Sequence, residues 1–485
     1  MGRKTGDGQR IKGKNRTVKG GQQRTIPAVP AHGQLFFTGK EVIMLFVALA
    51  ADGRTVSLAG AERWEREGLM RLKRQEPFFC PACRQEVVLR SGRYRLPHFA
   101  HRKGAACPVE HEPESERHLT GKRDLFAWLI RQGMEAKLEP YLPAIKQRPD
   151  VLFRHGPHLY ALEYQCSTID ESLFRERNDG YRLLGIRPLW VLGAHHLRRS
   201  PKYSGEVQLS RFQWLFAHRA PHSVVPHIWY YSPETKRFIR LFRPLPLSVQ
   251  RTLAVVDSIP LSSFSFPDWM APCPLPLPSE FWERWLERKK QWRRTFPLYP
   301  NQTVRRICAD FYQAGIVPSL FPTEAGWPVP RGYLWETAPF IWQTYVLLFL
   351  LGKTGRPATA VSLFQWLDDK IRTGRLVPRR LPLVGRDTYR EAVGEYLHWL
   401  SLLGYLRREE GDQLHLVKPL SFPSTVDQMI HQDAALLEQI HQTSALSCYW
   451  STLEFGRVEK MSRKQEKMNG MVNNNSCIDY LDKEE

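Results

Sequence analysis

The chain has 485 residues, 42% of them apolar, and its 70 Lys and Arg against 49 Asp and Glu give a formal net charge of +21. That length predicts more than one domain, and the charge excess sets up a field that favours a polyanion, nucleic acid first, over a merely solubilising surface or an acidic membrane. No apolar run approaches the ~20 residues of a membrane span, eight cysteines in 485 residues do not make a secreted disulfide framework, and no Walker A motif supports an ATP-driven helicase. The basic N-terminus lacks an adjoining apolar segment with a cleavage site, so a cytoplasmic protein is expected.

Residues 1–43 are rich in Gly, Arg, Lys and Gln without apolar periodicity and are expected to be a disordered basic extension. Met44 to Ala50 reads as a strand, turned by Asp52-Gly53 into Thr55 to Leu58, and a charged helix is expected over 61–73. Phe79-Cys80-Pro81-Ala82-Cys83 then supplies a CxxC knuckle, followed by His98-Phe99-Ala100-His101 and Cys107. Two thiolates on a tight turn, one imidazole and a distal thiolate satisfy the tetrahedral preference of Zn²⁺. The set is Cys80, Cys83, His101 and Cys107, with His98 as the alternative imidazole. The competing reading is of buried or redox-active thiols, but the apolar strand and helix of a thioredoxin-like site are missing. Residues 44–112 therefore form an N-terminal hairpin, helix and zinc-binding module.

Residues 113–243 read as an α/β core with accessory strands. A helix runs to Arg131 with Leu119, Phe126, Leu129 and Ile130 on its apolar side and carries Glu116 and His118. A short strand over 136–139 gives way at Pro140 and Pro143 to strands at 151–153 and 159–166, joined by His155-Gly156-Pro157. A helix over 169–184 leads through Gly185 to a strand at 188–192. Asp150 follows Arg148-Pro149, and strand alternation points Glu163 and Gln165 to one face. Carboxylates converging at a strand edge suit Mg²⁺ or Mn²⁺, as metal-assisted phosphodiester cleavage requires; a turn aspartate and a charged strand edge are the plainer readings. Arg177 and Tyr181 share a helical face, either to grip DNA or to pack over the sheet, and His118 is either a phosphate contact or a satisfied surface histidine. Ser167 has no His/acid partner nearby, which sets a serine hydrolase aside.

Placed together, these residues resemble the bacterial competence protein CoiA family. The likeness rests on Cys80-Pro81-Ala82-Cys83, His98-Phe99-Ala100-His101, Glu114-Ser115-Glu116-Arg117-His118 with Lys122, Arg148-Pro149-Asp150 and Glu163-Tyr164-Gln165-Cys166-Ser167. It continues through Arg177 and Tyr181 to Gly185-Ile186-Arg187-Pro188-Leu189-Trp190-Val191-Leu192. The resemblance implies a restriction-endonuclease-like mixed-sheet core and a role on incoming DNA, single-stranded after uptake, during natural transformation and recombination. Recombination or DNA-uptake proteins at the membrane are the implied partners. It also implies Glu116, Asp150 and Glu163 as Mg²⁺ or Mn²⁺ ligands, with Gln165 as a water or phosphate positioner. Gln165 departs from the superfamily's commoner acidic-x-Lys pattern, so a non-catalytic recombination adaptor on the same scaffold is the alternative to a nuclease.

Residues 244–322 are expected as a proline-rich connection with a helix from 280 to 294, in which Trp282, Trp285 and Trp292 make a buried stripe. Residues 323–457 read as a helical C-terminal domain, in which a helix, a turn and the strand 413–417 resemble a winged helix with Arg407-Arg408 toward DNA phosphates. The polar tail over 458–485 is expected to be disordered.

Overall fold

The computed structural model describes residues 44–443 with short interruptions, the longer ones at 60–65, 110–114, 272–276 and 353–357. The two ends expected to be disordered, and the first part of the helix expected over 61–73, lie outside the described residues. Among those described, the first unit is an antiparallel six-stranded sheet: β1 (Met44–Leu45), β2 (Val47–Ala50), β3 (Thr55–Ser57), β4 (Phe78–Phe79), β5 (Glu86–Arg90) and β6 (His98–His101), with α1 (Arg66–Lys73) after β3. Its order is β1-β6-β5-β4-β2-β3. The expected hairpin is β2–β3, turned at Gly53 with φ +83°. Residues 44–50 are not one strand, however. Phe46 breaks them, so that β1 pairs with β6 while β2 pairs with β3 and β4.

The second unit is a mixed sheet entered through α2 (Glu116–Arg131). It comprises β7 (Ala136–Leu138), β8 (Val151–His155), β9 (His158–Gln165), α3 (Glu171–Leu183), β10 (Ile186–Gly193), β11 (Arg198–Arg199), β12 (Glu206–Gln208), α4 (Arg211–Trp214), β13 (His218–Arg219), β14 (Pro226–Ser232), β15 (Arg237–Pro246) and β16 (Arg251–Pro260). The strand order is β11-β12-β16-β15-β14-β10-β9-β8-β7, with β13 on β14. β10 lies parallel to both β9 and β14, and the other pairings are antiparallel. Parallel neighbours need a crossover, and α3 supplies the one between β9 and β10. Pro244 to Pro278 was expected to be a connection, and there the structure differs. Arg251–Pro260 is a ten-residue strand paired along β15, because Pro246 and Pro260 fall at strand ends and Pro244 in the register shift between Phe242 and Leu245, which leaves Thr252 to Val256 free to pair.

Both faces of this sheet are covered. Val151, Phe153, Leu162, Tyr164, Leu189 and Val191 pack with Leu119, Leu125 and Trp128 of α2 and with Phe78 and Phe99 of the first sheet. Trp190, Leu192, Ile228 and Tyr230 point the other way, to Phe174 of α3 and the C-terminal helices. Those helices are α5 (Phe281–Thr295), α6 (Gln302–Gln313), α7 (Pro339–Leu350), α8 (Ala360–Arg372), α9 (Tyr389–Leu402) and α10 (Val426–Gln442), with the hairpin β17 (Leu406–Glu409) and β18 (Gln413–Leu416) after α9. Trp285 and Trp292 of the expected stripe are buried, and Trp282 packs partly buried against the same core. Every residue of α7 is buried, so its all-round apolar surface serves a core; no described helix is long and apolar enough to cross a membrane.

His218 and His227 face each other across β13 and β14 with ring centroids 4.1 Å apart. Burial, opposed by a contact to the Phe216 carbonyl, pushes the His218 imidazole down to about 4; burial, His218 and Arg240 push His227 well below its ordinary range. Unfolded imidazoles bind protons near 6.5, so between pH 6.5 and 4 the unfolded chain binds more protons than the folded one and stability falls as pH falls. Urea midpoints across that window should slope less steeply in the His218→Gln/His227→Gln double variant than in the wild type. Equal slopes would discard the assignment.

Candidate functional site

Backbone register builds the first site. Leu138 lies opposite Val151, and Val151 opposite Leu162. One step further along the three strands, Glu139, Asp150 and Glu163 therefore stand in one row, with the Glu139 N–H donating to the Asp150 carbonyl at 3.0 Å. Trp190 of β10 is the next neighbour of Glu163.

Two helices bring cations to this row from opposite faces. On α2, Ser115 caps the helix by accepting the His118 N–H, and His118, Gly121 and Lys122 then share one side. A Cβ at Gly121 would stand 2.1 Å from a Tyr164 ring carbon, so only glycine lets α2 lie this close to β9. That approach sets His118 Nε2 at 3.2 Å from Asp150 Oδ2, and Lys122 Nζ at 3.3 Å from Asp150 Oδ1 and 2.7 Å from Glu139 Oε1. The Tyr164 N–H donates to Asp150 Oδ2 at 2.8 Å. On the α3 face, Arg177 Nη2 reaches Glu163 Oε1 at 2.6 Å, and the Tyr181 hydroxyl donates to the same oxygen. The shared face of Arg177 and Tyr181 thus serves Glu163 first.

The two acids titrate in opposite senses. Burial works to raise Asp150, but Lys122, His118 and the Tyr164 N–H outweigh it and hold the carboxyl far below the usual range. Burial pushes Glu163 up to about 7, against Arg177 and Tyr181 and with help from the charge of Asp150. Perturbed acids gathered this way occur both in functional sites and in structural ion-pair networks.

Of the residues singled out in the sequence, the structure brings Asp150 and Glu163 together, with Gln165 on the face of Glu163. The Gln165 amide donates to the Ser167 carbonyl at 3.0 Å, which fixes its orientation. Glu116 is not brought to the row. It is exposed, and the two-residue step to His118 turns it roughly 200° round the helix from the side that faces Asp150. Lys122 and Glu139 were missed as site residues. Lys122 did carry a signal, four residues after His118 on a helix whose inward side is mostly apolar apart from Asp124; Glu139 carried none, because its placement depends on an unusual backbone angle.

The second site lies in the first sheet. The ligand atoms of Cys80, Cys83, His101 and Cys107 all lie within 4.8 Å of one another, with Cys83 Sγ 3.3 Å from His101 Nε2. Tetrahedral Zn²⁺ with thiolate and imidazole ligands needs edges of about 3.5–3.8 Å, so the set fits. His98 and His101 are three residues apart on one strand and so point to opposite faces, and it is His101 that joins the thiols while His98 Nδ1 meets the Leu96 carbonyl at 2.8 Å. A hydrogen bond from Cys107 draws the Cys80 thiol down to about 3, with His101 and turn amides helping against burial, while burial raises Cys83.

Mixed sheet, acid row and thiolate cluster together describe a nuclease-like core with a small metal module. The comparisons agree. Family models match three segments: "Competence protein CoiA, N-terminal domain" over 61–110, "Competence protein CoiA, nuclease-like domain" over 114–274 and "Competence protein CoiA, C-terminal domain" over 281–430. "Competence protein CoiA" of Bacillus subtilis (strain 168) is 32% identical over 366 residues, which is 75% of this chain and 95% of that protein. The chain belongs to the CoiA family. No solved structure matches it.

Elemental analysis of the purified protein should find about one zinc per chain. Cys83→Ser and Cys107→Ser should each lose it and lower the melting temperature. Full zinc content in Cys107→Ser would remove that thiol from the set.

Proposed function

We propose that the chain is a divalent-metal-dependent deoxyribonuclease on a restriction-endonuclease-like core, acting on incoming DNA, single-stranded after uptake, during transformation and recombination. The observation that carries this reading is the register that sets Asp150 beside Glu163, with a buried ammonium on Asp150. Carboxylate oxygens of Asp150 and Glu163 and the amide oxygen of Gln165 are the hard donors that Mg²⁺ or Mn²⁺ prefers. Such an ion, when bound, supplies Lewis-acid polarisation of a phosphate and lowers the pKa of a bound water. Lys122 contributes the cation that Gln165 does not. Its ammonium arrives from a helix rather than from the strand and keeps Asp150 ionised and oriented as a ligand. Arg177 and Tyr181 hold Glu163 in place. Gln165, oriented by Ser167, positions water or phosphate, and Glu116 stays outside this set. The net charge of +21 supplies attraction for the DNA backbone.

One observation favours the adaptor instead: both acids already carry protein cations, Asp150 from Lys122 and Glu163 from Arg177. Cutting of closed circular and end-labelled linear DNA, single- and double-stranded, with Mg²⁺ or Mn²⁺ separates the two. A nuclease should lose more than about 100-fold in Asp150→Ala and Glu163→Ala, beyond the loss usual for an outer-shell partner, and all activity in EDTA, with Glu116→Ala near wild type. DNA binding without products in any condition establishes the adaptor. The Glu163 value also sets a pH dependence. In the metal-free protein the carboxyl is increasingly protonated below about 7, so protons compete with the ion and the Mg²⁺ or Mn²⁺ concentration needed for half-maximal cutting should rise as pH drops through 7.

A further inference from the structure

Glu139 stands where the two sheets meet, and its contacts run in both directions. Its Oε2 accepts the Phe46 N–H at 2.8 Å and the Val47 N–H at 3.2 Å, from the break between β1 and β2. Its Oε1 accepts from Lys122 Nζ at 2.7 Å, and the same ammonium lies 3.3 Å from Asp150 Oδ1. Glu139 and Lys122 are each 1% exposed. A carboxylate that deep in the protein is stable only when donors meet its oxygens, and here one oxygen is held by the first sheet and the other by the site.

The backbone is bent to achieve this. Leu138 belongs to the face covered by α2, so alternation would send the next side chain to the opposite face. Glu139 instead has φ +48°, a left-handed conformation costly for a residue with a side chain and further restricted by Pro140 behind it. Strain held at one residue, with all of its side-chain contacts directed to a site and to a neighbouring sheet, points to a positioning role. The break at Phe46 is the matching feature on the other side. A continuous strand over 44–50 would commit the Phe46 N–H to a ladder, whereas the break presents it to Glu139.

We propose that Glu139 is a positioning residue that makes the placement of Lys122 on Asp150 depend on the docking of the N-terminal sheet. While Phe46 and Val47 hold one oxygen, the other fixes Lys122 within reach of Asp150. When the sheet lifts from the core, Glu139 loses its backbone donors and Lys122 loses its fixed partner. Coupling of this kind is reciprocal, so a change at Lys122 must loosen the Phe46 end as surely as a change at Phe46 loosens Lys122. The kinetic part of this proposal rests on the nuclease reading above; the structural coupling does not.

The test uses the full-length protein as wild type, Glu139→Gln, Lys122→Met and the double variant. Hydrogen exchange is followed by mass spectrometry in peptides spanning 44–50 and 158–165, the second containing the Tyr164 N–H that Asp150 accepts. Glu139→Gln keeps the shape but removes the charge and replaces one acceptor oxygen with an amide NH2 donor, so either the Phe46 and Val47 N–H groups or Lys122 Nζ loses its acceptor. It should raise exchange in both peptides and lower kcat by about 10- to 100-fold, the range for an outer-shell partner, with KM for DNA within about threefold. Lys122→Met should raise exchange over 44–50, although it lies more than 70 residues away in the chain, and the double variant should lose no more than the worse single one. Exchange confined to 44–50 in Glu139→Gln with kcat unchanged, or no change over 44–50 in Lys122→Met, would overturn the proposal. Should Glu139→Gln fail to fold, Lys122→Met alone decides. Should the wild type cut no DNA, the nuclease reading fails while the exchange arms still decide the coupling.

Discussion

The ammonium of Lys122 is the charge on which the core and its candidate site depend. It lies between Glu139 and Asp150, nearly sealed from water, and three strand ends and a helix meet around it. Removing one member of a buried ion pair leaves an uncompensated charge at a cost of about 3–5 kcal/mol, whereas exposed pairs contribute little. The pairs Arg54–Asp52 and Arg372–Asp369 are of the exposed kind and decide nothing about the fold. Lys122 does, because its ammonium meets both Asp150 and Glu139, the residue that accepts from the first sheet. Gly121 is the other half of this arrangement, since the ammonium reaches the row only if α2 can approach the ring of Tyr164.

The same principle recurs at the far side of the molecule with a different purpose. Arg293 makes a two-pronged pair with Asp433 at 2.6 and 2.8 Å, and Lys289 joins the same carboxylate at 3.0 Å, all buried between α5 and α10. Lys289 also donates to the Thr323 carbonyl at 2.6 Å and lies 4.1 Å from the centre of the Trp327 ring. Burial pulls the Lys289 ammonium down to about 7, with Asp433 opposing. This network closes the helical region onto itself and has no strand ends beside it. Buried charge therefore locks helices in one place and assembles a row of acids in the other. The difference lies in what surrounds the charge: packed tryptophans in the first case, the termini of β7, β8 and β9 in the second.

The two clusters also differ in donor type and position. The three thiols and one imidazole of the first sheet are soft and borderline donors on tight turns and strand ends, suited to a closed tetrahedral ion. The row of carboxylates offers only hard oxygen donors and is already balanced by lysine and arginine. The first sheet thus has a local source of rigidity, and Glu139 is the polar contact through which that rigidity reaches the row.

Much of this was legible in the order of residues. The CxxC knuckle with His101 and Cys107, the hairpin at Asp52-Gly53, the alternation that aligns Glu163 with Gln165 and the amphipathic face of α2 are local patterns. Local patterns follow from covalent geometry and the periods of strand and helix. The strand Arg251–Pro260 was hidden because the prolines around it read as breaks until the register with β15 showed Pro246 and Pro260 at strand ends and Pro244 at a register shift. Glu116 was carried into the site by resemblance, and the structure sets it about 200° round α2 from His118. Which acids stand beside Asp150 was set by the pairing of β7, β8 and β9, separated in the chain by loops whose lengths hold no register information. That Lys122 meets Asp150, and that Glu139 turns back toward Phe46, depended on a helix-to-strand approach and a positive φ. Those arise only when distant segments compete for the same buried volume, so the sequence by itself determined the donors and the tertiary structure decided which of them meet.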